Sequence, residues 1–223
     1  PITYPGVYKD LATYGTMTIA GAVAIDGLVT QEVGDVKYSI KTKIDCADLK
    51  TQIFYLEDGS SLDLKNFQFE KFQSDDIAAC YSSVASNVRT YSDLEKLTGQ
   101  EHVSVSVTDC NFDAMYAPGG YFCVVGDLSI VHSDFFNSHA ESGLRLGGES
   151  GLTLTLNGSF TMDRVTARDQ STLDLGYVSQ NSAVTITQSS FTRNGRLSFD
   201  AIGGTFKMDS VLIAANTESV VSV

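Results

Sequence analysis

The sequence predicts an all-β fold, a right-handed parallel β-helix whose turns take about 22–24 residues. Three observations predict it. A short pattern of alternating apolar residues recurs through the second half of the chain. A second apolar pair follows each copy at a nearly constant distance. The copies always follow in the same order, which favours pairing of like strands over hairpins.

The copies begin at Val105, Leu128, Phe160, Val184 and Phe206, at intervals of 23, 32, 24 and 22 residues. Their third positions are Val107, Ile130, Met162, Ile186 and Met208. Apolar residues at every second position mark a strand with one face inward. The sixth position is small (Cys110, Ser133, Val165, Ser189, Val211), and the break in alternation just before it predicts a corner. The eighth position (Phe112, Phe135, Ala167, Phe191, Ile213) turns inward again. The second apolar pairs lie in Tyr121–Cys123, Leu144–Leu146, Leu173–Leu175, Leu197–Phe199 and Val220–Val223. The 32-residue interval carries an insertion over 147–156, expected as a loop or extra strand on one face.

Residues 1–102 repeat less clearly and are expected to form irregular turns preceding the regular ones of 103–223. Short strands are expected at Met17–Ile19, Val23–Ile25, Val36–Ile40, Leu62–Leu64 and Phe67–Phe69. Ser92 and Glu95 have capping-box spacing and predict a short helix over 93–98. A separate N-terminal β-domain is the alternative organisation.

The repeat resembles the right-handed β-helix superfamily that includes pectate lyases, polygalacturonases, phage tailspikes and bacterial surface adhesins. The stretch from Phe191 to Asn194 is similar to the FxxN repeat of polymorphic outer-membrane adhesins, and Ile213 to Asn216 is a looser copy. The companion GGA[ILV] motif is missing; Gly119-Gly120, Gly147-Gly148 and Gly203-Gly204 are its nearest equivalents. The resemblance therefore implies architecture, not a binding activity. Asn194 and Asn216 share one offset and are expected to form a ladder bonded to the backbone at a corner.

Enzymes of that superfamily need clustered carboxylates with His or Arg. Asp75 and Asp76 are adjacent, and His102, His132 and His139 are scattered. Asp163, Arg164, Arg168 and Asp169 read as a surface ion-pair group. No catalytic, cofactor or metal residues are assigned. The outward column Ser106, Ser129, Thr161, Thr185 and Lys207 mixes hydroxyls with a cation, and TxT occurs at Thr153–Thr155 and Thr185–Thr187. Ice-binding solenoids carry regular Thr arrays; β-propensity on a solvated face accounts for this mixture.

A net charge of −12 opposes binding to nucleic acid and to anionic membrane. No run approaches the roughly 18 apolar residues of a membrane span. The chain starts at Pro1 and reads as a processed or excerpted form. Cys46, Cys80, Cys110 and Cys123 are disulfide candidates, with Cys110 and Cys123 expected to meet inside one turn. Buried thiols are the competing reading. Asn157 heads a glycosylation sequon.

These readings predict a non-catalytic extracellular or cell-surface scaffold or adhesin, possessing no cofactor. Its expected partners are glycans or surface proteins. The strand at Val220–Val223 is expected to be covered by further chain or another subunit, with a filament as the extreme. A carbohydrate-active β-helix enzyme (polysaccharide lyase or hydrolase) and an ice-binding protein are the alternatives.

Overall fold

The computed structural model describes residues 7–8, 17–45, 54–57, 59–70, 103–113, 122, 126–136, 144–145, 158–169, 172–178, 183–201 and 204–222. These residues are all-β, without helix. Their strands form sheets of nine, seven, four and two strands, and all pairings but one are parallel.

The seven-stranded sheet is the first ladder. It joins Ala22–Asp26, Ser61–Lys65, Val103–Thr108, Gly126–Val131, Ser159–Asp163, Ala183–Thr187 and Thr205–Asp209, each parallel to the next. Val105, Leu128, Phe160, Val184 and Phe206 lie in register, as the repeat predicts. The alternation is real burial: Val105, Val107, Leu128, Ile130, Phe160, Met162, Val184 and Ile186 are all buried. Gly126 sits at φ +143°, and a Cβ there would run into the backbone of Val103. Only glycine permits that approach.

The second ladder joins Val36–Asp45, Phe67–Glu70, Asn111–Asp113, Asp134–Phe136, Thr166–Arg168, Ser190–Thr192 and Leu212–Ala214. Val7–Tyr8 pairs with its first member. Its inward column runs Ile44, Phe69, Phe112, Phe135, Ala167, Phe191, Ile213. Phe69, Phe112 and Phe135 stack, with centroids 5.1 and 4.6 Å apart. Ala167 separates Phe135 from Phe191 in this column, so the three rings of the repeat do not form one unbroken stack.

The corner between the two ladders is a single residue in the left-handed region. Asn66, Asp109, His132, Arg164, Gln188 and Ser210 occupy it in successive repeats, with φ between 49° and 59°. This conformation is unfavourable for most side chains. It is offset because the corner N–H still bonds the next strand: Asp109 to Val131 O, His132 to Asp163 O, Arg164 to Thr187 O and Gln188 to Asp209 O, all at 2.9–3.1 Å. The small sixth position completes the corner. Buried Ser133 donates to Val131 O and accepts from Cys110 N–H, and buried Ser189 does the same between Thr187 O and Val165 N–H.

The third ladder joins Leu144–Arg145, Thr172–Val178, Arg196–Ala201 and Glu218–Ser222. Leu144, Leu173 and Leu197 are in register as expected. The final copy is shifted by one residue: Ser219, rather than Val220, opposes Leu197, and Val221 opposes Phe199. In the triplet at Tyr121–Cys123 the core holds the middle residue. Phe122 is buried edge-on against Phe112 and Phe135, while Tyr121 and Cys123 lie outside the described residues. The asparagine ladder forms. Asn216 Oδ1 accepts from Asn194 N–H at 2.9 Å, Asn194 Nδ2 donates to Ala167 O, and Asn216 Nδ2 to Phe191 O.

The first and second ladders cross position 102 without interruption, through the pairs Leu62–Val105 and Phe69–Phe112. Irregular spacing upstream comes from insertion. Between Asp26 and Thr42, where a one-residue corner belongs, Leu28–Val33 and the first half of Val36–Asp45 form an antiparallel hairpin. Parallel pairing alone was expected. Gly34, at φ 63°, occupies the first position of its two-residue turn, as a II′-type turn requires. The predicted helix over 93–98 and the insertion over 147–156 lie outside the described residues.

Candidate functional site

The outward side of the first ladder is a sheet of small polar side chains in three columns. One column runs Ser61, Ser104, Asp127, Ser159, Ala183, Thr205. The central column runs Ala24, Asp63, Ser106, Ser129, Thr161, Thr185, Lys207, so the predicted outward column is in register and extends two repeats upstream. The third runs Asp26, Lys65, Thr108, Val131, Asp163, Thr187, Asp209. Strands in such a sheet lie about 4.8 Å apart, so this face repeats hydroxyls and carboxylates at that interval. It bonds internally: Thr187 Oγ1 donates to Asp163 at 2.6 Å, and Ser159 donates to Asp127 through N–H and Oγ. Asp63 holds Lys65 with one oxygen, and its other is buried with no hydrogen bond. In the central column four hydroxyl residues, two Ser and then two Thr, stand between Ala24 and Asp63 at one end and Lys207 at the other.

A second polar patch lies on the outward side of the second ladder beside the hairpin. Asp45, Glu70 and Asp113 are in register on three adjacent strands. Glu70 is buried, ion-paired with Lys43 and bonded by Gln68. Lys41 donates to Asn111 Oδ1 at 3.2 Å. Sequence reading missed this patch, because its members come from strands up to 70 residues apart. Among the described residues no group of three His, Cys, Asp or Glu is arranged to hold a metal ion.

The Asp163, Arg164, Arg168 and Asp169 group divides between two corners. Arg164 pairs with Asp163 at 2.8 Å, whose carboxyl lies below its usual range chiefly because Thr187 donates to it. Asp169 takes Arg193 through two bonds of 2.7 Å and Arg168 at 3.6 Å. Arg168 also lies over the Phe136 ring. These are exposed ion pairs that add little stability. His132 faces Asp109 at 3.6 Å. Asp75, Asp76, His102, His139, Thr153 and Thr155 lie outside the described residues.

Cys110 is a buried thiol, free in this structure, and desolvation pushes it up to about 11. Cys46, Cys80, Cys123 and Asn157 lie outside the described residues.

The hairpin adds an apolar surface. Val36 and Tyr38 are each 51% exposed and Ile40 is 40% exposed, on one face. The alternation from Val36 to Ile40 and the Gly34-Asp35 turn were its sequence signals. No protein-family model, curated protein or solved structure matches the chain.

Proposed function

We propose that the ladders wind as a right-handed parallel β-helix, and that the chain is a segment of a non-catalytic extracellular or cell-surface scaffold. It presents the polar face of its first ladder to glycans or surface proteins. One observation carries this reading. Register holds through seven strands from Ala22–Asp26 to Thr205–Asp209, so outward side chains stand in fixed columns on a stiff support. Small hydroxyls and carboxylates at a constant interval suit a repetitive polar ligand better than one small molecule. The test is binding to a glycan array and to cells. Wild-type chain is compared with a Ser129→Arg, Thr161→Arg double variant, whose bulk and charge cover the centre of the face. Equal binding by both argues against this face.

The last repeat supports a partner at that end. Phe206, Met208 and Val211 are only partly buried, and Leu212 and Ile213 are 55% and 37% exposed, whereas Phe191 one repeat earlier is 0% exposed. A further repeat, from the same chain or another copy, covers those side chains and pairs the open strand edges. Light scattering that shows a concentration-independent monomer excludes the second copy.

The in-register carboxylates Asp45, Glu70 and Asp113 favour one second reading, a polysaccharide lyase or hydrolase. Glu70 is already committed to Lys43 and Gln68, which suits a structural role better. Release of reducing ends or unsaturated products from a polysaccharide panel, lost in Glu70→Gln, would establish the enzyme.

A further inference from the structure

The hairpin is tied to the fold along one edge and at its base. Leu28–Val33 takes one edge of residues 36–41, and the second ladder takes the chain from Thr42 onward. Among the described residues no strand pairs with the other edge of 36–41, and residues 36–40 are all exposed. The two-residue turn closes on the pair Val33 and Val36, and hydrogen-bonded pairs alternate from there. Val36, Tyr38 and Ile40 therefore direct their backbone groups to Leu28–Val33. Lys37, Ser39 and Lys41 direct theirs to the open edge. Such an edge is a template for another strand. The sequence along it is symmetric in chemical character about Tyr38: Val36 is balanced by Ile40, polar Lys37 by polar Ser39, and Asp35 by a residue of opposite charge, Lys41.

We propose that this edge pairs, antiparallel, with the same edge of a second copy of the chain, about a two-fold axis at Tyr38. Tyr38 then stands opposite the partner's Tyr38, Val36 opposite the partner's Ile40, and Lys37 opposite the partner's Ser39. Asp35 meets the partner's Lys41. Backbone groups that point outward on one edge face outward-pointing groups on the other, and the two apolar faces fall on one side of the joined sheet. Charge selects this axis. An axis at Lys37 sets that lysine against itself, and one at Ser39 sets Lys37 against the partner's Lys41; like charges directly opposite destabilise a sheet. Axes between residues set outward backbone groups against inward ones. Asp35 forms no ion pair among the described residues, and the Lys41 ammonium keeps donors beyond the one that Asn111 accepts. The outer edge of Leu28–Val33 offers Glu32 and no cation to oppose it, so it is the poorer template. Pairing stops where Thr42 joins Phe67 in the ladder. Two-stranded hairpins are marginal alone in water, and a four-stranded sheet shared by two copies removes that weakness. The contact closes as a two-fold dimer and is separate from any stacking at the last repeat.

Sedimentation equilibrium of the whole chain is expected to show a dimer that forms as concentration rises; a monomer at every concentration overturns the proposal. Ser39→Pro removes a donor from the open edge, where proline is tolerated in a strand, and is expected to give monomer with unchanged circular dichroism. A dimer as tight as wild type in that variant overturns the proposal, because it places the contact elsewhere, as at the last repeat. Charge reversal tests the axis. Asp35→Lys and Lys41→Asp each set like charges opposite one another and are each expected to weaken the dimer about tenfold. An equal mixture of the two variants restores both opposite-sign pairs and is expected to recover wild-type affinity; no recovery overturns the pairing of Asp35 with Lys41. Tyr38→Cys sets two thiols across the axis, where opposed Cα atoms lie about 4.5 Å apart, within reach of a disulfide. It is expected to crosslink into a dimer in air, whereas Val36→Cys, off the axis, is not. Equal crosslinking by the two variants, read by peptide mapping without reduction, overturns the axis at Tyr38.

Discussion

Phe112 and Phe135 lie directly opposite one another on adjacent parallel strands, their rings 4.6 Å apart and within 4° of parallel. Phe69 extends the stack on one side, and Phe122 closes it edge-on. This aromatic cluster joins residues from three repeats.

Truncation there is expected to be expensive. Phe135→Ala removes a fully buried ring and leaves a cavity between Phe112 and Ala167, at a cost of about 3–5 kcal/mol. Phe191→Ala is expected to fall in the same range. Thr185→Lys, on the outward face of the first ladder, is expected to cost less than about 0.5 kcal/mol. Denaturant titration compares them, and equal losses at Phe191 and Thr185 would contradict the register.

The corner serines carry a different cost. Ser189 Oγ accepts from Val165 N–H at 3.1 Å and donates to Thr187 O at 2.7 Å. Ser189→Ala strands a buried donor and is expected to cost about 1–3 kcal/mol. Cys110 occupies the same offset and directs its Sγ to Thr108 O at 3.3 Å. Ser189→Cys is therefore expected to lose less than Ser189→Ala in thermal unfolding.

Acid is expected to loosen the hairpin base. Asp26 Oδ1 accepts from the Asn66 side chain at 2.8 Å and from Leu28 N–H at 2.9 Å, and these bonds hold its carboxyl below the ordinary value of 3.8. A carboxyl lowered in the folded state adds stability that is complete above its unfolded pKa and disappears as pH falls through the folded one. The loss therefore begins below about pH 4. Asp26→Asn is expected to flatten that part of a melting-temperature profile between acid and neutral pH. An unchanged profile would exclude the clamp.

Cys110 is expected to resist alkylation. Its thiol, pushed up to about 11 by burial, stays protonated at pH 8, and the thiolate is the reactive form. Iodoacetamide is expected to leave it unmodified in the native chain and to label it after unfolding, as read by peptide mapping without reduction. A Cys110–Cys123 crosslink in that map would show instead that the thiol is oxidised in solution.

The sequence by itself determined the strands and their inward faces. Val105, Leu128, Phe160 and Val184 recur at the same offset because every repeat must bury the same positions, and a parallel sheet with one inward face leaves that period in the chain. The asparagine ladder was legible for the same reason: Asn194 and Asn216 serve one corner in successive repeats. Tertiary structure alone decided what stands beside what between the repeats. Insertion of the hairpin at residues 28–41 separates Val23 from Leu62 by 39 residues, which hides the common period, and with it the place of Ile44 and Phe69 in the phenylalanine column. At the last strand, backbone pairing selected Ser219 and Val221 where apolarity alone favoured Val220. The contact of Lys41 with Asn111, like the burial of Glu70, depends on the register of three strands distant in sequence. Polar outward positions carry no hydrophobic period that could reveal such neighbours, so only the folded chain brings them together.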